Sequence, residues 1–456
     1  MDVWAGVVMA AGIGKRMDSK VPKILHGICG REMIAYPVEA LKNAGVSRIV
    51  VVVSPESQTR VKDLLGDSVE YVPQSRPLGT GHALLQAASL LKGQAEQIIA
   101  LNADLTLVRP ATLKKLIFHH LSRDSYVTLL SAIFRSPGDM GRIVRDEAGK
   151  VVDILEASEM AGDDETASEV NGGAYCFKAA WLWDRLPRVE KAPMGELYLT
   201  SLVAMAITED GRVEALVSKD SEEVLGINNR LQLAQAEGVM RRRIRERWML
   251  EGVTMLDPAS TFLDASVELG QDVVIYPNTM VLGRSKIGDR CTIGPSTVIQ
   301  DSVIGEGCKV VASFLEEATL EGSVDMGPFS HLRPGTYLES GVHIGNFSEV
   351  KNSRLGRGVA MGHFGYVGDA SIGANVNLGA GMVTCNYDGV TKHRTVVEEG
   401  AFIGCDTMFV APVRVGAGAI TGAGAVVTKD VPPNRLAVGV PATIKEGKKT
   451  RQGLTS

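Results

Sequence analysis

The first segment that could do chemistry is a glycine-rich turn after an apolar run near the start of the chain. Gly12 and Gly14 lie inside the turn, Arg16 follows them, and Lys23 comes shortly afterwards. Glycines let backbone N–H groups approach a phosphate, and Arg16 and Lys23 could neutralise its charge. The spacing matches neither G-x-x-x-x-G-K-[ST] nor G-x-G-x-x-G, so a tight strand-to-helix turn explains this motif alone equally well.

Two later segments favour the phosphate interpretation. The stretch from Gln74 to Ala83 contains a second glycine-rich turn that enters a helical pattern, and Asp104 follows an apolar run that ends at Leu101. An aspartate at the end of a strand is suited to hold Mg²⁺ against phosphate oxygens. The first half of the chain is therefore predicted to bind a metal and a phosphorylated ligand.

A second group of reactive residues lies in the last third of the chain. His363 could take a proton from an attacking amine near neutral pH, because histidine titrates in that range. Taken alone, His363 is more often a surface or structural histidine, but the neighbouring residues favour a site. The residues that accompany it are Arg333, Lys351, Tyr366, Asn377, Asn386, Tyr387 and Lys392. Of these, the three cations could hold a phosphate group.

The first 228 residues alternate short apolar runs with segments of helical spacing. This alternation predicts an α/β domain with a mostly parallel sheet, whose ligands bind beyond the carboxyl ends of its strands. The predicted strands are Val7 to Ala10, Ile49 to Val53, Ile98 to Leu101 and Tyr126 to Leu130, and the predicted helices include Met33 to Ala44 and Gly81 to Leu91.

A basic amphipathic helix is predicted from Leu231 to about Glu251. Met240, Ile244 and Trp248 recur every four residues, and arginines cover its other faces. A nucleic-acid-binding arm is one interpretation, but a solvated linker helix between two domains explains the pattern better.

After about residue 252 a six-residue repeat replaces the helical pattern. Aliphatic residues recur at every sixth position, as in Ile287, Ile293 and Ile299. This period predicts a parallel β-helix in which each such side chain points inward and a small residue forms the corner. The period slips near Ile304, is lost over about residues 310–340, and resumes by Ile344, so an irregular segment or loop is predicted there. Residues 386–400 interrupt it again.

The bulk composition excludes some functions. A chain of 456 residues exceeds one ordinary hydrophobic core, which predicts at least two domains. A net charge of −5 gives no reason to expect a nucleic-acid partner, and no apolar stretch is long enough to span a membrane. Six scattered cysteines without C-x-x-C pairs, and a start without a secretion signal, predict a cytoplasmic protein with reduced thiols.

These residues together carry a resemblance to a known family over nearly the whole chain. The chain resembles bacterial bifunctional N-acetylglucosamine-1-phosphate uridyltransferases/glucosamine-1-phosphate acetyltransferases. The matching motifs are Ala10-Ala11-Gly12-x-Gly14-x-Arg16-Met17, Pro22-Lys23, Leu78-Gly79-Thr80-Gly81-His82-Ala83, Gly141-Arg142-Ile143, Glu156, Asn171 and Gly226-x-Asn228-Asn229-Arg230. The resemblance implies a nucleotidyltransferase domain followed by a left-handed β-helix of hexapeptide repeats.

For the first domain the resemblance implies attack of a sugar 1-phosphate on the α-phosphorus of UTP, with Mg²⁺ as cofactor. It implies catalytic contacts to the phosphates from Arg16 and Lys23, and metal ligation by Asp104 and Asn228. The implied UDP-sugar contacts are Ala10, Ala11, Gly12, Lys23, Gln74, Gly79, Thr80, Gly141, Glu156, Asn171, Thr200 and Asn228.

For the second domain the resemblance implies that His363 deprotonates the amine of glucosamine 1-phosphate, which then attacks acetyl-CoA. The implied sugar-phosphate contacts are Arg333, Lys351, Tyr366, Asn377 and Lys392, and the implied acetyl-CoA contacts are Ala380, Asn386, Tyr387, Cys405 and Ala423. We also expect Glu349 to orient His363. The family further implies a homotrimer with acetyl-transfer sites between neighbouring β-helices.

Several residues depart from the family's pattern. Asn102 and Ala103 stand where the family has Tyr-Gly, Ser158 where Lys is common, and Gly172 where Thr is typical. Cys405 replaces a serine, and the usual arginine near Pro441 is missing, so the CoA 3′-phosphate would fall to Lys445, Lys448, Lys449 or Arg451. These changes leave the preferred sugar open.

We therefore expect a nucleotidyltransferase domain at 1–228, a linker helix at 229–251 and a β-helix acetyltransferase domain at 252–456. One alternative is a single-activity sugar nucleotidyltransferase whose β-helix only assembles or regulates. Another is a non-enzymatic pair of interaction modules. The group around His363 speaks against the first alternative, and Arg16, Lys23 and Asp104 speak against the second.

Overall fold

The computed structural model describes residues 3–12, 14–138, 140–156, 167–191 and 195–446. Ser158, Lys448, Lys449 and Arg451 lie outside the described residues. The chain divides into two compact units, one up to Met240 and one from Arg241 onwards. None of the helices in the described ranges is long and apolar enough to cross a membrane.

The first unit is built on a twisted sheet in which the path β11-β7-β10-β6-β1-β4-β5 is parallel except for β10. The β8–β9 hairpin pairs with β10, and β2 pairs with β3 elsewhere. The strands are β1 (Trp4–Ala10), β2 (Gly27–Ile28), β3 (Arg31–Glu32), β4 (Arg48–Val53), β5 (Glu70–Pro73), β6 (Gln97–Asn102), β7 (Val127–Phe134), β8 (Arg142–Arg145), β9 (Val151–Leu155), β10 (Ser168–Lys178) and β11 (Val213–Val217). The four predicted strands are confirmed.

The helices are α1 (Ala35–Ala44), α2 (Gln58–Leu65), α3 (Thr80–Gln86), α4 (Ala88–Leu91), α5 (Pro110–Ser122), α6 (Ala179–Arg185), α7 (Ser201–Thr208) and α8 (Arg230–Leu250), with short 3₁₀ turns at Lys15–Met17, Lys23–Leu25, Gly66–Ser68, Leu186–Arg188 and Ser221–Val224. The single helix predicted from Gly81 to Leu91 is divided at Ala87 into α3 and α4.

The central strands are buried on both faces, as their continuous apolar runs predict. Because side chains alternate along a strand, Val7 packs in a core with α3, α6 and α7, whereas Val8 packs in a second core with α1 and α5. Both side chains are fully buried. The two cores hold the sheet rigidly, so the loops at its carboxyl edge can place functional groups accurately.

The second unit is a left-handed β-helix whose short strands stack in parallel on three faces. The first face comprises β12 (Thr254–Met255), β15 (Val274–Ile275), β18 (Thr292–Ile293), β21 (Lys309–Val310), β24 (Asp325–Met326), β27 (His343–Ile344), β30 (Ala360–Met361), β33 (Asn377–Leu378), β36 (Phe402–Ile403), β39 (Ile420–Thr421), β41 (Arg435–Val438) and the antiparallel β42 (Thr443–Glu446).

The second face comprises β13 (Phe262–Leu263), β16 (Met280–Leu282), β19 (Val298–Gln300), β22 (Phe314–Glu316), β25 (His331–Leu332), β28 (Ser348–Lys351), β31 (Gly365–Gly368), β34 (Val383–Cys385), β37 (Met408–Val410) and β40 (Val426–Val427). The third comprises β14 (Glu268–Leu269), β17 (Lys286–Ile287), β20 (Val303–Ile304), β23 (Thr319–Leu320), β26 (Tyr337–Leu338), β29 (Arg354–Leu355), β32 (Ala370–Ile372), β35 (Thr395–Val397) and β38 (Val413–Val415).

The prediction of an irregular segment over residues 310–340 is wrong, because the coil continues through it without a break. The inward positions there are filled by Val310, Leu315, Leu320, Met326, Leu332 and Leu338, all buried. Two of these steps are five residues long instead of six. A strict six-residue period therefore does not describe this segment, although its column of inward-facing side chains is continuous.

The short steps share one backbone feature. In each of them the residue two places after the inward side chain has a positive φ, as in Ala312 and Glu317. In the full-length step from Ile304 to Val310, the positive φ falls on Gly307, one place later. Asp301, Asn352 and Asp369 have the same position in three further five-residue steps, and Asp and Asn tolerate this conformation better than most residues. Gly283 also has a positive φ two places after Val281, but the step to Ile287 is six residues long, so the early corner does not set the length of a step by itself.

Candidate active sites

A cavity of about 830 Å³ opens at the carboxyl edge of the sheet in the first unit. The turn after β1 and the loop after β6 contribute to its wall, as expected for a parallel α/β sheet. The wall includes thirteen of the residues singled out from the sequence: Ala10, Ala11, Gly12, Lys23, Gln74, Gly79, Thr80, Asp104, Gly141, Glu156, Asn171, Thr200 and Asn228. Residues far apart in the sequence are thus brought together around one space.

Arg16 has a different position from the other predicted contacts. It is exposed in the 3₁₀ turn Lys15–Met17, and the cavity wall in the described chain contains Lys15 rather than Arg16. The segment that carries both cations begins with Gly14, whose φ of 66° turns the chain sharply. An arginine here can reach a phosphate only by extending its side chain over the opening.

The residues proposed to hold a metal are bridged by a lysine. The ammonium of Lys23 lies 2.5 Å from Oδ2 of Asp104 and donates a hydrogen bond of 2.9 Å to Oδ1 of Asn228. Lys23 and Asp104 are both mostly buried, so this positive charge lies where a cation binds favourably.

The oxygen atoms of this group suit Mg²⁺. A carboxylate and an amide oxygen are hard ligands, and Mg²⁺ in phosphate-transfer sites takes few protein ligands because substrate phosphates and water complete its shell. The described residues contain no cluster of three or more His, Cys, Asp or Glu that would form a complete protein cage. The donor set therefore fits a metal that binds together with a phosphorylated substrate.

We predict that Lys23 competes with the metal in the absence of nucleotide. Replacing it by methionine keeps the length of the side chain and removes the charge beside Asp104, so Mn²⁺ should bind about tenfold more tightly or better. Titration of the nucleotide-free protein, followed by calorimetry or Mn²⁺ resonance, measures this affinity. Lys20→Met, at an exposed lysine of the same segment, is the matched control. Unchanged or weaker Mn²⁺ binding in Lys23→Met would show that Lys23 does not occupy the metal position.

The second glycine-rich turn is held by backbone contacts that exclude side chains. Gly79 has a φ of 98°, and a Cβ atom there would lie 2.6 Å from the carbonyl oxygen of Leu197. The amide of Gln74 donates to the carbonyl of Gly79 over 3.2 Å, and the hydroxyl of Thr80 accepts from the backbone N–H of Leu199. The backbone of this turn is therefore fixed beside the cavity with little freedom to move.

The cavity wall also carries two hydrogen-bonded pairs of polar side chains. The hydroxyl of Thr200 donates to Oε1 of Glu156 over 2.7 Å, and the amide of Asn171 donates to the hydroxyl of Tyr175 over 2.5 Å. Burial raises the pKa of Tyr175 well above its usual range, so this phenol stays neutral. These groups can present both donors and acceptors to the hydroxyls of a sugar.

The departures from the family's pattern fit the local backbone. A methyl on Gly172 would lie 2.7 Å from the carbonyl oxygen of Leu130, so this backbone has no room for a threonine side chain. Asn102 packs against Gly173, where a Cβ would meet its amide nitrogen at 2.7 Å. Ala103 is buried and belongs to a hydrophobic core, and it also contributes to the cavity wall.

Sequence analysis missed the residue that fixes Asn228. The side chain of Gln232 accepts a hydrogen bond of 2.7 Å from the backbone N–H of Asn228, and Asn229 accepts from the backbone N–H of Gln232. This arrangement is a variant of the capping box at the start of α8. The spacing Asn-x-x-Gln before the basic helix was the available signal.

In the second unit, His363 lies at an exposed corner between β30 and β31. Its backbone carbonyl accepts a hydrogen bond of 2.8 Å from the hydroxyl of Ser348, on the preceding coil. The corner is therefore fixed by the stack while the imidazole remains accessible to a substrate. That is the arrangement a general base requires.

Three cations lie where the chain passes from the second face to the third: Arg333 follows β25, Lys351 ends β28 and Lys392 lies in the loop after β34, whereas His363 lies at the corner between the first and second faces. Lys392 lies beside Lys351, and the contact between their ammonium groups lowers the pKa of Lys351, with a smaller effect from Arg333. The hydrogen bond to Glu349, 2.9 Å long, raises the pKa of Arg333. Glu349 thus contacts Arg333, and the described residues show no hydrogen bond from it to His363. Clustered like charges of this kind are stabilised by a bound anion.

The remaining sugar-phosphate and cofactor residues lie on two faces and one corner. Tyr366 is on β31 of the second face, whereas Asn377 is on β33 of the first, and both are half-buried. Asn386 is buried and donates to the carboxylate of Asp369. Tyr387 is exposed, in the loop that leaves the coil after β34. Within one chain, Asn386 and Tyr387 lie where the second face passes to the third, away from the corner that carries His363.

Ala380, Cys405 and Ala423 lie on consecutive coils at the same corner of the β-helix. The carbonyl of Ala380 accepts from the N–H of Asp406, and the carbonyl of Cys405 accepts from the N–H of Gly424. Cys405 is exposed. The three residues therefore form a straight edge of small side chains along the helix axis, which suits an extended ligand.

The fold and these two groups of residues define a two-domain transferase with separate sites for phosphate and for amine chemistry. Residues 5–249 match the nucleotidyl transferase family, residues 266–301 match the bacterial transferase hexapeptide family, and residues 394–429 match the hexapeptide repeat of succinyl-transferase.

Similar proteins include "Bifunctional protein GlmU" of Caldanaerobacter subterraneus, 42% identical over 96% of this chain and 95% of that one. The GlmU proteins of Heliobacterium modesticaldum (43%, covering 95% and 94%) and Pelobacter propionicus (41%, covering 99% of both) are similar to the same degree. The chain belongs to the bifunctional GlmU family. It is an enzyme of UDP-N-acetylglucosamine synthesis, with a uridyltransferase in its first domain and an acetyltransferase in its second.

Proposed function

We propose that the second domain transfers acetyl from acetyl-CoA to glucosamine 1-phosphate, and that the first domain then joins the N-acetylglucosamine 1-phosphate to UTP. The observation that carries this order is the presence of two chemically different sites in one chain. One couples Lys23 to Asp104 and Asn228, and the other has an exposed His363 and a cluster of cations on the same β-helix. The product of the amine site is the phosphate nucleophile that the other site needs.

In acetyl transfer, Arg333, Lys351 and Lys392 hold the phosphate of the amino sugar, with Tyr366 and Asn377 against the sugar. His363 takes a proton from the amine as its nitrogen attacks the thioester carbonyl. A carbon–nitrogen bond forms, the carbon–sulfur bond breaks, and CoA leaves as the thiol. The edge formed by Ala380, Cys405 and Ala423 holds acetyl-CoA, with Asn386 and Tyr387 beside the acetyl group.

In uridyl transfer, an oxygen of the sugar phosphate attacks the α-phosphorus of UTP and pyrophosphate leaves. Such chemistry depends on positioning and charge neutralisation more than on a protein base. Lys23 and Arg16 neutralise the phosphates, and Ala10, Ala11 and Gly12 offer their backbone. Gln74, Gly79 and Thr80 hold uridine, and Gly141, Glu156, Asn171 and Thr200 hold the sugar. Asp104 and Asn228 would hold Mg²⁺, which when bound would supply positive charge that stabilises the phosphates.

The domains are proposed to run from 1 to 228 and from 252 to 456, joined by a helical linker. A homotrimer in the cytoplasm is proposed from the family's properties and from the β-helix, whose exposed corner leaves the His363 site open on one side. The hypothesis of a β-helix used only for assembly lacks a reason for the exposed His363 and for the cluster of Arg333, Lys351 and Lys392.

The proposal is tested by omitting one reactant at a time. Protein incubated with glucosamine 1-phosphate, acetyl-CoA, UTP and Mg²⁺ should make UDP-N-acetylglucosamine, detected by mass spectrometry. Without acetyl-CoA no nucleotide sugar should form, and excess EDTA should stop the reaction at N-acetylglucosamine 1-phosphate. Formation of a UDP-sugar from glucosamine 1-phosphate without acetyl-CoA would contradict the proposed order. Continued uridyl transfer in EDTA would contradict the role of the metal.

A further inference from the structure

The loop that carries Tyr387 and Lys392 leaves the β-helix after β34 and returns at β35. Its two legs pair with each other: Tyr387 and Lys392 form an antiparallel bridge, and the N–H of His393 donates to the carbonyl of Asn386 over 2.7 Å. Lys392 therefore lies on a short, two-legged projection and not on the rigid coil.

The tip of this loop is organised around one carboxylate. Asp388 accepts hydrogen bonds from the backbone N–H groups of Val390 (2.8 Å) and Thr391 (2.7 Å), and its Oδ2 lies 2.6 Å from Nε2 of His393. The backbone N–H of Thr391, together with His393, holds the pKa of Asp388 well below its usual range. The carboxylate thus stays charged and binds residues on both sides of Lys392.

The hydrogen bonds of Asp388 hold Lys392 in place against electrostatic repulsion from Lys351. Lys392, which is exposed, lies beside Lys351, and two ammonium groups in contact repel each other. An untethered loop would let Lys392 move away from Lys351, which would relieve this repulsion. The clamp formed by Asp388, Thr391 and His393 fixes the backbone on each side of Lys392 and so limits this movement.

We infer that Asp388 and His393 are positioning residues for acetyl transfer, which keep Lys392 next to Lys351 as a preformed site for the phosphate of the sugar substrate. The inference rests on the proposed function, which assigns the phosphate to these cations. Neither residue needs to touch the substrate. Preorganisation of this kind lowers the free-energy cost of substrate binding, because folding has already brought the two ammonium groups together against their repulsion.

The test uses steady-state acetyl transfer by the full chain with the variants Asp388→Asn, His393→Ala and Lys392→Ala. Asp388→Asn should raise KM for glucosamine 1-phosphate about tenfold, with kcat within about threefold and KM for acetyl-CoA unchanged. His393→Ala should act in the same direction with a smaller effect. Asp430→Asn is the matched control, since Asp430 also accepts a backbone N–H, that of Arg414, on the same β-helix. The unchanged KM for acetyl-CoA, together with the circular dichroism spectrum of each variant, reports whether the β-helix is folded.

A double variant distinguishes positioning from a general loss of structure. If Asp388 acts through Lys392, adding Asp388→Asn to Lys392→Ala should change KM for the sugar phosphate no further. Additive effects in the double variant, or an unchanged KM in Asp388→Asn while Lys392→Ala raises it, would overturn the inference and leave the proposed function intact. An unchanged KM in Lys392→Ala itself would remove the phosphate assignment and the inference with it.

Discussion

Replacement of His363 by alanine is expected to abolish acetyl transfer while leaving uridyl transfer near its normal rate. A positioned general base contributes roughly 10²–10⁴-fold, so kcat for acetylation should fall by about that factor. The side chain lies at an exposed corner of a rigid stack, and its removal leaves no buried cavity. The effect should therefore be chemical and not a loss of stability.

Measurement of both half-reactions on one preparation provides the control for this variant. Free CoA thiol reports acetylation, and pyrophosphate release from UTP and N-acetylglucosamine 1-phosphate reports uridyl transfer. If the His363→Ala variant still acetylated glucosamine 1-phosphate, another group would have to be the general base. Loss of both reactions in a folded protein would show that the two sites are not independent.

Replacement of Asp104 by alanine should have the reverse effect. It removes the only carboxylate among the proposed metal ligands, and loss of several kcal/mol of charge stabilisation corresponds to a fall of about 1,000-fold in uridyl transfer. The ammonium of Lys23 would keep its contact with Asn228, so the cavity should persist. Acetylation should be unchanged.

A matched aspartate separates the role of Asp104 from a general effect of charge. Asp63 is exposed on α2 and lies outside the cavity wall, so Asp63→Ala should leave both rates unchanged. Uridyl transfer by Asp104→Ala within tenfold of the unchanged protein, at saturating Mg²⁺, would exclude a central role for this carboxylate.

Much of the fold was predictable because the signals were long and periodic. The strand that ends at Leu101 is a continuous apolar run, and the column that includes Ile287 and Ile293 repeats every sixth residue. The stretch over 310–340 was mispredicted because two of its steps, from Val310 to Leu315 and from Leu315 to Leu320, are five residues long. Each of them contains a left-handed corner, at Ala312 or Glu317, and neither residue type signals that conformation.

The residues around the first cavity were predicted from the sequence as a set, but the hydrogen bonds among them were not. Sequence motifs identified Asp104 and Asn228, yet the bridge that Lys23 makes between them depends on three segments meeting at the edge of the sheet. The contact of Glu349 with Arg333 likewise depends on which residues face each other on adjacent coils, and a one-residue change in the length of a step alters that register.

The central claim is that one chain holds two independent sites linked by a diffusible intermediate, and a mixing experiment tests it most directly. His363→Ala and Asp104→Ala are incubated separately and together with glucosamine 1-phosphate, acetyl-CoA, UTP and Mg²⁺. We predict that neither variant alone makes UDP-N-acetylglucosamine and that the mixture does, because acetylated sugar released by one variant is used by the other. A mixture as inactive as its components, with both proteins folded, would contradict the claim.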